Sequence, residues 1–197
     1  MKRIQIHKIL KDESWLTISN FLTLSRFLLT FFIVYGIFYK SWKCVFILFL
    51  IVGITDLLDG YLARLLKQDT HLGKILDPLV DKFLIIASFS SLAFFHSPSF
   101  FIPYWFVVLI IIREFIILLG SSILLLFKND FKVSPNIWGK LTTFFQLLFI
   151  LWIFICYFFG WVPAKTYYSL LILLSIFSIL SLFQYVKIGL KFFLIHK

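Results

Sequence analysis

Six long apolar stretches dominate the chain. Each is about twenty residues long, which is the length that an α-helix needs to cross the hydrocarbon core of a bilayer. Hydrophobic residues make up 61% of the 197 residues, and charged residues only 14%. A soluble domain of this length could not bury so much apolar surface, so the surplus must face lipid. The predicted fold class is therefore all-α, a polytopic membrane protein.

The sequence predicts six transmembrane helices and a short interfacial helix ahead of them. The predicted spans are Phe21–Tyr39, Cys44–Leu65, Ile75–Phe95, Phe101–Phe127, Trp138–Phe159 and Tyr167–Leu190. Near the N-terminus, Ile6, Ile9 and Leu10 recur at helical spacing beside lysines, which favours a helix lying on the membrane surface. No soluble domain or long linker is evident. We therefore expect one domain over residues 1–197, with a juxtamembrane segment 1–19 and a six-helix core 20–190.

The distribution of lysine and arginine predicts the orientation. With the N-terminus inside, the outer connections carry only Lys40, Lys43 and Lys165, and the other basic residues fall mostly on the cytoplasmic side. Both termini are therefore predicted to be cytoplasmic, in a bacterial cytoplasmic membrane because no organelle-targeting extension is evident. This topology also accounts for the formal net charge of +10. No basic stripe interleaved with surface aromatics stands out, so nucleic acid is not a predicted partner.

Four aspartates stand at regular spacing where the second and third predicted spans meet the cytoplasmic side. Asp56 and Asp59 lie three residues apart near the end of the second span, and Gly73, Asp77 and Asp81 form an i, i+4, i+8 line on the third. Adjacent spans run antiparallel with a short loop between them. We therefore expect the two pairs of carboxylates to face each other in one pocket near the membrane surface.

Four carboxylates so close together cannot all be ionised without compensation. Each costs about 2.5–3.5 kcal/mol at a helix centre on insertion scales, so protons or cations must balance them. Hard oxygen ligands select Mg²⁺ or Mn²⁺, and two ions would suit four aspartates in phosphoryl chemistry. Three alternatives stay open: the aspartates could cap or line short loops, form the ion path of a transporter, or pair with Arg64, Lys74 and Lys82.

The aspartates belong to a longer pattern of eight fixed residues. The pattern reads Asp56-x-x-Asp59-Gly60-x-x-Ala63-Arg64, then eight residues, then Gly73-x-x-x-Asp77-x-x-x-Asp81. It resembles the complete signature of the CDP-alcohol phosphatidyltransferases, which are six-span membrane enzymes. The resemblance implies a reaction in which a CDP-linked lipid gives its phosphatidyl group to an alcohol and CMP leaves. Family members often form dimers, so a second copy of the chain is a candidate partner.

The resemblance also implies a role for each signature residue. Asp56, Asp59, Asp77 and Asp81 are expected to bind the metal, with Asp81 as the general base for the acceptor hydroxyl. The expected CDP-lipid site comprises Asn20, Thr23, Asp56, Gly60, Ala63, Arg64 and Gly73. Small side chains at Gly60 and Ala63 leave room for a base and a ribose, and Arg64 can pair with phosphate as a fork.

Three further stretches bear on the acceptor. They are "NFLTLSR" with Asn20, Thr23 and Arg26, "IIIREFI" with Arg113 and Glu114, and "NIWGKLTTFFQ" with Gly139, Lys140, Thr143 and Gln146. Each resembles an element of phosphatidylglycerophosphate synthases and their cardiolipin-synthase relatives. The resemblance implies CDP-diacylglycerol as the donor and sn-glycerol 3-phosphate as the acceptor, in a lipid environment.

An anionic acceptor would explain an arginine placed inside the membrane, where it is expensive. We expect Arg26, Arg113 and Lys140 to bind the acceptor phosphate. Two alternatives stay open at these positions: Arg113 and Glu114 point about 100° apart and could hold different neighbouring helices, and Lys140 could be an ordinary cytoplasmic lysine. Thr142 stands where phosphatidylglycerophosphate synthases often carry a second lysine. That departure keeps open a CMP-forming cardiolipin synthase with phosphatidylglycerol as its acceptor.

Overall fold

The structure, a computed structural model, describes residues 18–66, 71–95, 99–126 and 137–195. Side chains are described for residues 21–58, 76–95, 99–120 and 139–187. All regular structure within these ranges is helical, which confirms the all-α prediction. The predicted interfacial helix lies in residues outside the described part of the chain.

Six helices follow one another along the chain. They are α1 (Ile18–Phe38), α2 (Trp42–Leu66), α3 (His71–Phe94), α4 (Tyr104–Leu126), α5 (Ile137–Phe159) and α6 (Ala164–Ile195). Each coincides with one predicted span. The observed helices differ most from the predicted spans at the start of α3 and the end of α6, where the helix continues beyond the apolar stretch into polar residues.

Local sequence signals explain where the helices begin and end. The helices α4 and α6 begin directly after Pro103 and Pro163, whose carbonyls accept hydrogen bonds from the first turn. Helix α1 ends at Phe38; Lys40, two residues further on, has a positive φ, and the amide of Ser41 donates to the carbonyl of Gly36 at 2.9 Å. This tight turn sends α2 back along α1. A Cβ on Gly36 would lie 2.7 Å from Cγ2 of Val45, so glycine permits the close approach of the two helices.

Three helices are long and apolar enough to cross a membrane by length and composition. Within the described residues these are Phe21–Phe38, Gly139–Phe159 and Ala164–Lys187. Large apolar side chains such as Phe32, Phe115 and Phe183 lie on the outside of the bundle, each at least 61% exposed. Arginine, glutamate, glutamine, serine and threonine side chains are buried inside it. The chain is therefore a membrane protein whose polar groups face inward.

Helix α1 packs against both α2 and α3, whereas α2 and α3 do not pack directly on each other in the described part of the chain. Helix α3 also packs on α4 and α5, and α6 packs on α4 and α5. The ring of Phe89 on α3 contacts Phe106 of α4 and Phe149 of α5, with centroids 5.5 and 6.2 Å apart. Helix α3 thus connects α1 to α4 and α5, and α2 reaches the rest of the bundle through α5.

Candidate active site

Three of the signature aspartates converge on one arginine of α1. Nη1 of Arg26 donates to Oδ1 of Asp56 on α2 and to Oδ1 of Asp81 on α3, the latter at 2.9 Å. Nη2 of Arg26 lies 3.5 Å from Oδ1 of Asp77. Asp77 and Asp81 are four residues apart and share one face of α3, so both can reach the same guanidinium. We call Thr23, Arg26, Asp56, Asp77 and Asp81 the aspartate site.

Thr23 adds a hydroxyl to this site from the preceding turn of α1. Its Oγ1 donates to Oδ1 of Asp77 at 2.6 Å. Arg26 is 1% exposed, whereas the side chains of Asp56, Asp77 and Asp81 are 51%, 36% and 40% exposed. The cation therefore lies behind the carboxylates, which form the open side of the site.

This arrangement adds an arginine to the carboxylate pocket expected from the sequence. The described carboxylates of α2 and α3 meet on Arg26 of α1, which lies between Asp56 and Asp81. The physical reason is charge: carboxylates in a low-dielectric setting need a counter-charge, and a buried guanidinium with several donors supplies it. Arg26 was assigned to the acceptor phosphate from sequence, and the structure places it among the predicted metal ligands.

For the remaining residues of the predicted site the structure describes only the backbone, which is helical. Asp59, Gly60, Ala63 and Arg64 continue α2 after Asp56, Gly73 lies in the first turn of α3, and Asn20 lies in the first turn of α1. Their side chains are outside the described set. Their helices place them at the same end of the bundle as the aspartate site, where α1 and α3 begin and α2 ends.

The donor set of the aspartate site suits a hard divalent cation. Its described carboxylates offer only oxygen ligands, which hard cations prefer. One oxygen from each of Asp56, Asp77 and Asp81 lies near the same guanidinium. Among the described residues no group of three ligands already surrounds one point, because Arg26 lies between them. A dication bound here would take over part of the compensation that Arg26 now supplies.

A second polar cluster lies deeper in the bundle around Arg113 of α4. Nη2 of Arg113 donates to the carbonyl oxygen of Gly139 at 2.8 Å and lies 3.5 Å from Oγ of Ser181. Nη1 donates to Oε1 of Glu114, to Oγ1 of Thr143 at 3.2 Å and to Oε1 of Gln146 at 3.4 Å. We call these six residues the Arg113 cluster. It joins α4, α5 and α6.

Glu114 connects this cluster to α3. Its side chain is fully buried, and its Oε2 lies 3.8 Å from Nζ of Lys82. The sequence alternative that Arg113 and Glu114 hold different helices therefore agrees with the contacts, since Arg113 reaches α5 and α6 and Glu114 reaches α3. The two side chains also bind each other. Lys82, one of the three cations considered as partners of the aspartates, pairs with Glu114.

Residues of the sequence element that contains Lys140 lie in two different environments. Gly139, Thr143 and Gln146 contact Arg113, whereas Lys140 is exposed. Arg113 is therefore buried and Lys140 is not. Thr142 is fully buried against α6, with its Oγ1 3.5 Å from the carbonyl oxygen of Phe177. The residue type at position 142 thus affects a contact between helices.

Sequence reasoning missed two features of the Arg113 cluster. The first is the pairing of Lys82 with Glu114, for which the only signal was a basic residue directly after a signature aspartate and a carboxylate inside an apolar span. The second is the contact of Tyr185 with Gly139, where a Cβ would lie 2.6 Å from the tyrosine hydroxyl oxygen. No local pattern connects residues this far apart along the chain.

Comparison with known proteins agrees with the signature. The family model for CDP-alcohol phosphatidyltransferase matches residues 16–186. A CDP-diacylglycerol–glycerol-3-phosphate 3-phosphatidyltransferase of Aquifex aeolicus is 35% identical over 136 residues, which cover 69% of this chain and 74% of the relative. The protein of the same name from Haemophilus influenzae is 33% identical over 175 residues, 86% of this chain and 91% of the relative.

A relative from Mycobacterium tuberculosis that is named as a cardiolipin synthase is 29% identical over 140 residues, 69% of this chain and 63% of the relative. The similarity thus extends to relatives with two different names. The family match covers the aspartate site, the Arg113 cluster and all six helices except the end of α6. The chain therefore belongs to the CDP-alcohol phosphatidyltransferase family and is an enzyme of that class.

Proposed function

We propose that the chain transfers the phosphatidyl group of CDP-diacylglycerol to sn-glycerol 3-phosphate, giving phosphatidylglycerophosphate and CMP. The observation that carries the proposal is that Asp56, Asp77 and Asp81 all contact the guanidinium of Arg26 at one end of the bundle. The relatives named for this reaction, which cover most of the chain, support the choice of acceptor. The family is generally dependent on divalent metals.

In the proposed reaction, the hydroxyl oxygen of the acceptor forms a bond to the phosphorus next to diacylglycerol. The bond from that phosphorus to the CMP oxygen breaks, and CMP leaves with the electron pair. Asp81 takes the hydroxyl proton as general base, which its partial exposure allows. Mg²⁺ or Mn²⁺, as two ions held by Asp56, Asp59, Asp77 and Asp81, would stabilise the charge on the phosphate oxygens.

The chain's own cations have separate proposed roles. Arg26 is buried, but its partners are partly exposed aspartates, and a metal ion bound by them would release its guanidinium for an acceptor phosphate that enters the site. Lys140 is exposed and can reach a soluble anion. Arg113 has no exposed surface, so it could contact the phosphate only after exchanging its present partners. We therefore propose Arg26 and Lys140 as the direct phosphate contacts.

We propose Asn20, Thr23, Gly60, Ala63, Arg64 and Gly73, together with Asp56, as the CDP-lipid site. An apolar groove of about 440 Å³ between α1 and α3 supports this assignment. Leu24, Phe27, Leu76 and Phe83 line it, and Thr23 connects it to Asp77. An acyl chain lying in this groove would bring its headgroup to the aspartates.

For the whole chain we propose a single membrane domain over residues 1–197. All six helices would cross the membrane, and the N-terminal segment would lie on its surface. The positive-inside pattern supports placing both termini and the aspartate site on the cytoplasmic side of a bacterial cytoplasmic membrane. A homodimer is part of this proposal by analogy with the family.

The acceptor assay tests the proposal directly. Purified protein in detergent receives CDP-diacylglycerol, Mg²⁺ and either glycerol 3-phosphate or phosphatidylglycerol, and CMP release is measured. We expect CMP release with glycerol 3-phosphate. Release with phosphatidylglycerol alone would replace the proposal by a CMP-forming cardiolipin synthase, which the relative from Mycobacterium tuberculosis and Thr142 favour.

A further inference from the structure

Charged side chains of α3 contact two different neighbouring helices. Asp77 and Asp81 contact α1, whereas Lys82, the residue directly after Asp81, reaches Glu114 on α4. Successive residues of an α-helix are separated by about 100° around its axis, so a single helix can serve both partners. The rotation of α3 therefore determines where the carboxylate of Asp81 points and whether Lys82 reaches Glu114.

The Lys82–Glu114 contact strongly favours one rotation of α3. Glu114 is fully buried, and Lys82 is only 13% exposed. Oε2 of Glu114 accepts no hydrogen bond from any residue that the structure describes, and the ammonium of Lys82 lies 3.8 Å from it. Turning α3 away would leave the largely buried ammonium of Lys82 without its carboxylate partner, and it would leave Oε2 of Glu114 without a facing cation, which is unfavourable.

The other end of this contact is anchored by three helices. Glu114 also accepts from Arg113, and Arg113 in turn donates to the Gly139 carbonyl at 2.8 Å and to Thr143 at 3.2 Å. Ser181 of α6 lies 3.5 Å from the same guanidinium. Glu114 is thus a fixed reference point, whereas α3 on its α1 side contacts an open, half-exposed site.

We infer that Lys82, Glu114 and Arg113 are positioning residues that set the rotation of α3 and thereby aim Asp81 into the aspartate site. This inference rests on the proposed function. A side-chain tip about 5 Å from the helix axis moves roughly 0.9 Å for a rotation of about 10°. A misplacement of about 1 Å can reduce a reaction rate by roughly 100-fold. Small rotations of α3 therefore matter to the general base.

The test uses Lys82→Met, Lys82→Arg, Glu114→Gln and the Lys82→Met/Glu114→Gln double variant. The exposed lysine of the opposite end, Lys165→Met, is the matched control. Full-length proteins in detergent are compared for the kcat and KM of CMP release, for Mn²⁺ affinity by paramagnetic resonance, and for thermal unfolding. Mn²⁺ affinity requires no knowledge of the acceptor, so it reports on the aspartates even when turnover is absent.

We expect Lys82→Met and Glu114→Gln each to lower kcat by roughly 10- to 100-fold and to weaken Mn²⁺ binding several-fold, with little change in the KM for glycerol 3-phosphate. The double variant is expected to lose no more than the worse single variant, because both remove one contact. Lys82→Arg, which keeps the charge, is expected to restore most of the activity and Mn²⁺ affinity.

Three results would overturn the inference: a Lys82→Arg variant no better than Lys82→Met, fully additive losses in the double variant, or lower thermal stability with unchanged Mn²⁺ affinity and kcat. A raised KM for glycerol 3-phosphate at unchanged kcat would also contradict it, because Lys82 or Glu114 would then act on the acceptor. Failure of the proposed function looks different. There the unmodified protein releases no CMP with glycerol 3-phosphate, while the ordering of Mn²⁺ affinities among the Lys82 variants still tests the positioning role.

Discussion

The aspartate site and the Arg113 cluster are both built on a buried arginine, but one is open and the other is closed. Arg26 is 1% exposed and its three carboxylate partners are between 36% and 51% exposed. Arg113 and its carboxylate partner Glu114 are both fully buried. An open carboxylate can exchange a guanidinium for a metal or a phosphate-bound metal, whereas a closed one cannot. A buried arginine paired with carboxylates therefore suits catalysis in the aspartate site and helix packing in the Arg113 cluster.

The number of partners differs in the same direction. Arg26 faces several carboxylates, so its cluster carries surplus negative charge that attracts a further cation. In the Arg113 cluster one carboxylate, Glu114, faces both Arg113 and the neighbouring Lys82, and Arg113 also donates to neutral oxygens of Gly139 and Thr143. This cluster carries no surplus negative charge and its carboxylate is fully buried, so it offers an incoming metal ion little.

The largest expected effect comes from the proposed general base of the aspartate site. Asp81→Asn keeps the shape of the side chain and removes its basic oxygen. We expect kcat for CMP release to fall by about 10²–10⁴-fold, the usual contribution of a general base, with CDP-lipid binding largely retained. Binding is measured with a labelled CDP-lipid in detergent. Asp69→Asn, which removes an aspartate outside the signature spacing, is the control; unchanged turnover in Asp81→Asn would remove Asp81 as the base.

The next prediction tests the contrast between the open and the closed arginine. Breaking a fully buried ion pair by removing one partner typically destabilises a protein by about 3–5 kcal/mol. In Arg26→Gln the aspartates that remain are 36–51% exposed, so water reduces this cost and Mg²⁺ can compensate them. We expect a loss of thermal stability in EDTA that is smaller than that of a fully buried pair and that Mg²⁺ mostly restores, measured by thermal unfolding in detergent.

Arg113→Gln is the matched counterpart, because it leaves Glu114 buried where no ion from solution can reach it. Its loss of stability should be the same in EDTA and in Mg²⁺. If Mg²⁺ stabilised both variants equally, the distinction between an open and a closed cluster would be wrong. If it stabilised neither, the aspartate site would not bind Mg²⁺ in the absence of Arg26.

The helices were predictable because their signal is local. An apolar stretch such as Trp138–Phe159 can hardly be anything but a helix, since lipid cannot satisfy an irregular backbone. The structure has α5 at Ile137–Phe159. The grouping of Asp56, Asp77 and Asp81 was also predictable, because helical spacing and antiparallel neighbours place them at one end of the bundle.

The partners of the arginines were not predictable in the same way. Arg26 and Arg113 each lie in a sequence element that fits a phosphate-binding role. A sequence pattern does not show whether such an arginine binds a ligand's phosphate or a carboxylate of the chain itself. Which carboxylate each arginine meets depends on how the helices rotate and which of them are neighbours. The pairing of Lys82 with Glu114 spans 32 residues and arises only because α3 packs on α4.

A smaller effect probes how tightly the Arg113 cluster is closed. A Cβ at Gly139 would lie 2.6 Å from the hydroxyl oxygen of Tyr185, so Gly139→Ala must displace that ring. We expect a destabilisation of about 1–2 kcal/mol by overpacking, observed as a lower unfolding temperature. In a Tyr185→Ala background the same change should instead be neutral or stabilising by up to about 1 kcal/mol, because alanine favours a helix more than glycine.

Gly53→Ala is the control for that experiment, since a Cβ there meets nothing within 4 Å. It reports the helix preference alone. If Gly139→Ala behaved like Gly53→Ala in the unmodified background, the contact between α5 and α6 at Tyr185 would be looser than its geometry indicates. The Arg113 cluster would then be less closed than the comparison with the aspartate site requires.

The smallest effect concerns the hydroxyl that supports the open site. Oγ1 of Thr23 donates to Asp77 at 2.6 Å, and Thr23→Val removes this bond while keeping the side-chain shape. Because Asp77 is 36% exposed, water replaces part of the lost bond, and we expect a cost of about 1 kcal/mol or less in stability. Mn²⁺ affinity should change by a few-fold, since Asp77 loses the group that orients it. Thr30→Val, which removes only a bond to the carbonyl of Arg26 on the same helix, should leave Mn²⁺ affinity unchanged; equal changes in both variants would mean that the hydroxyls support α1 and have no specific effect on Asp77.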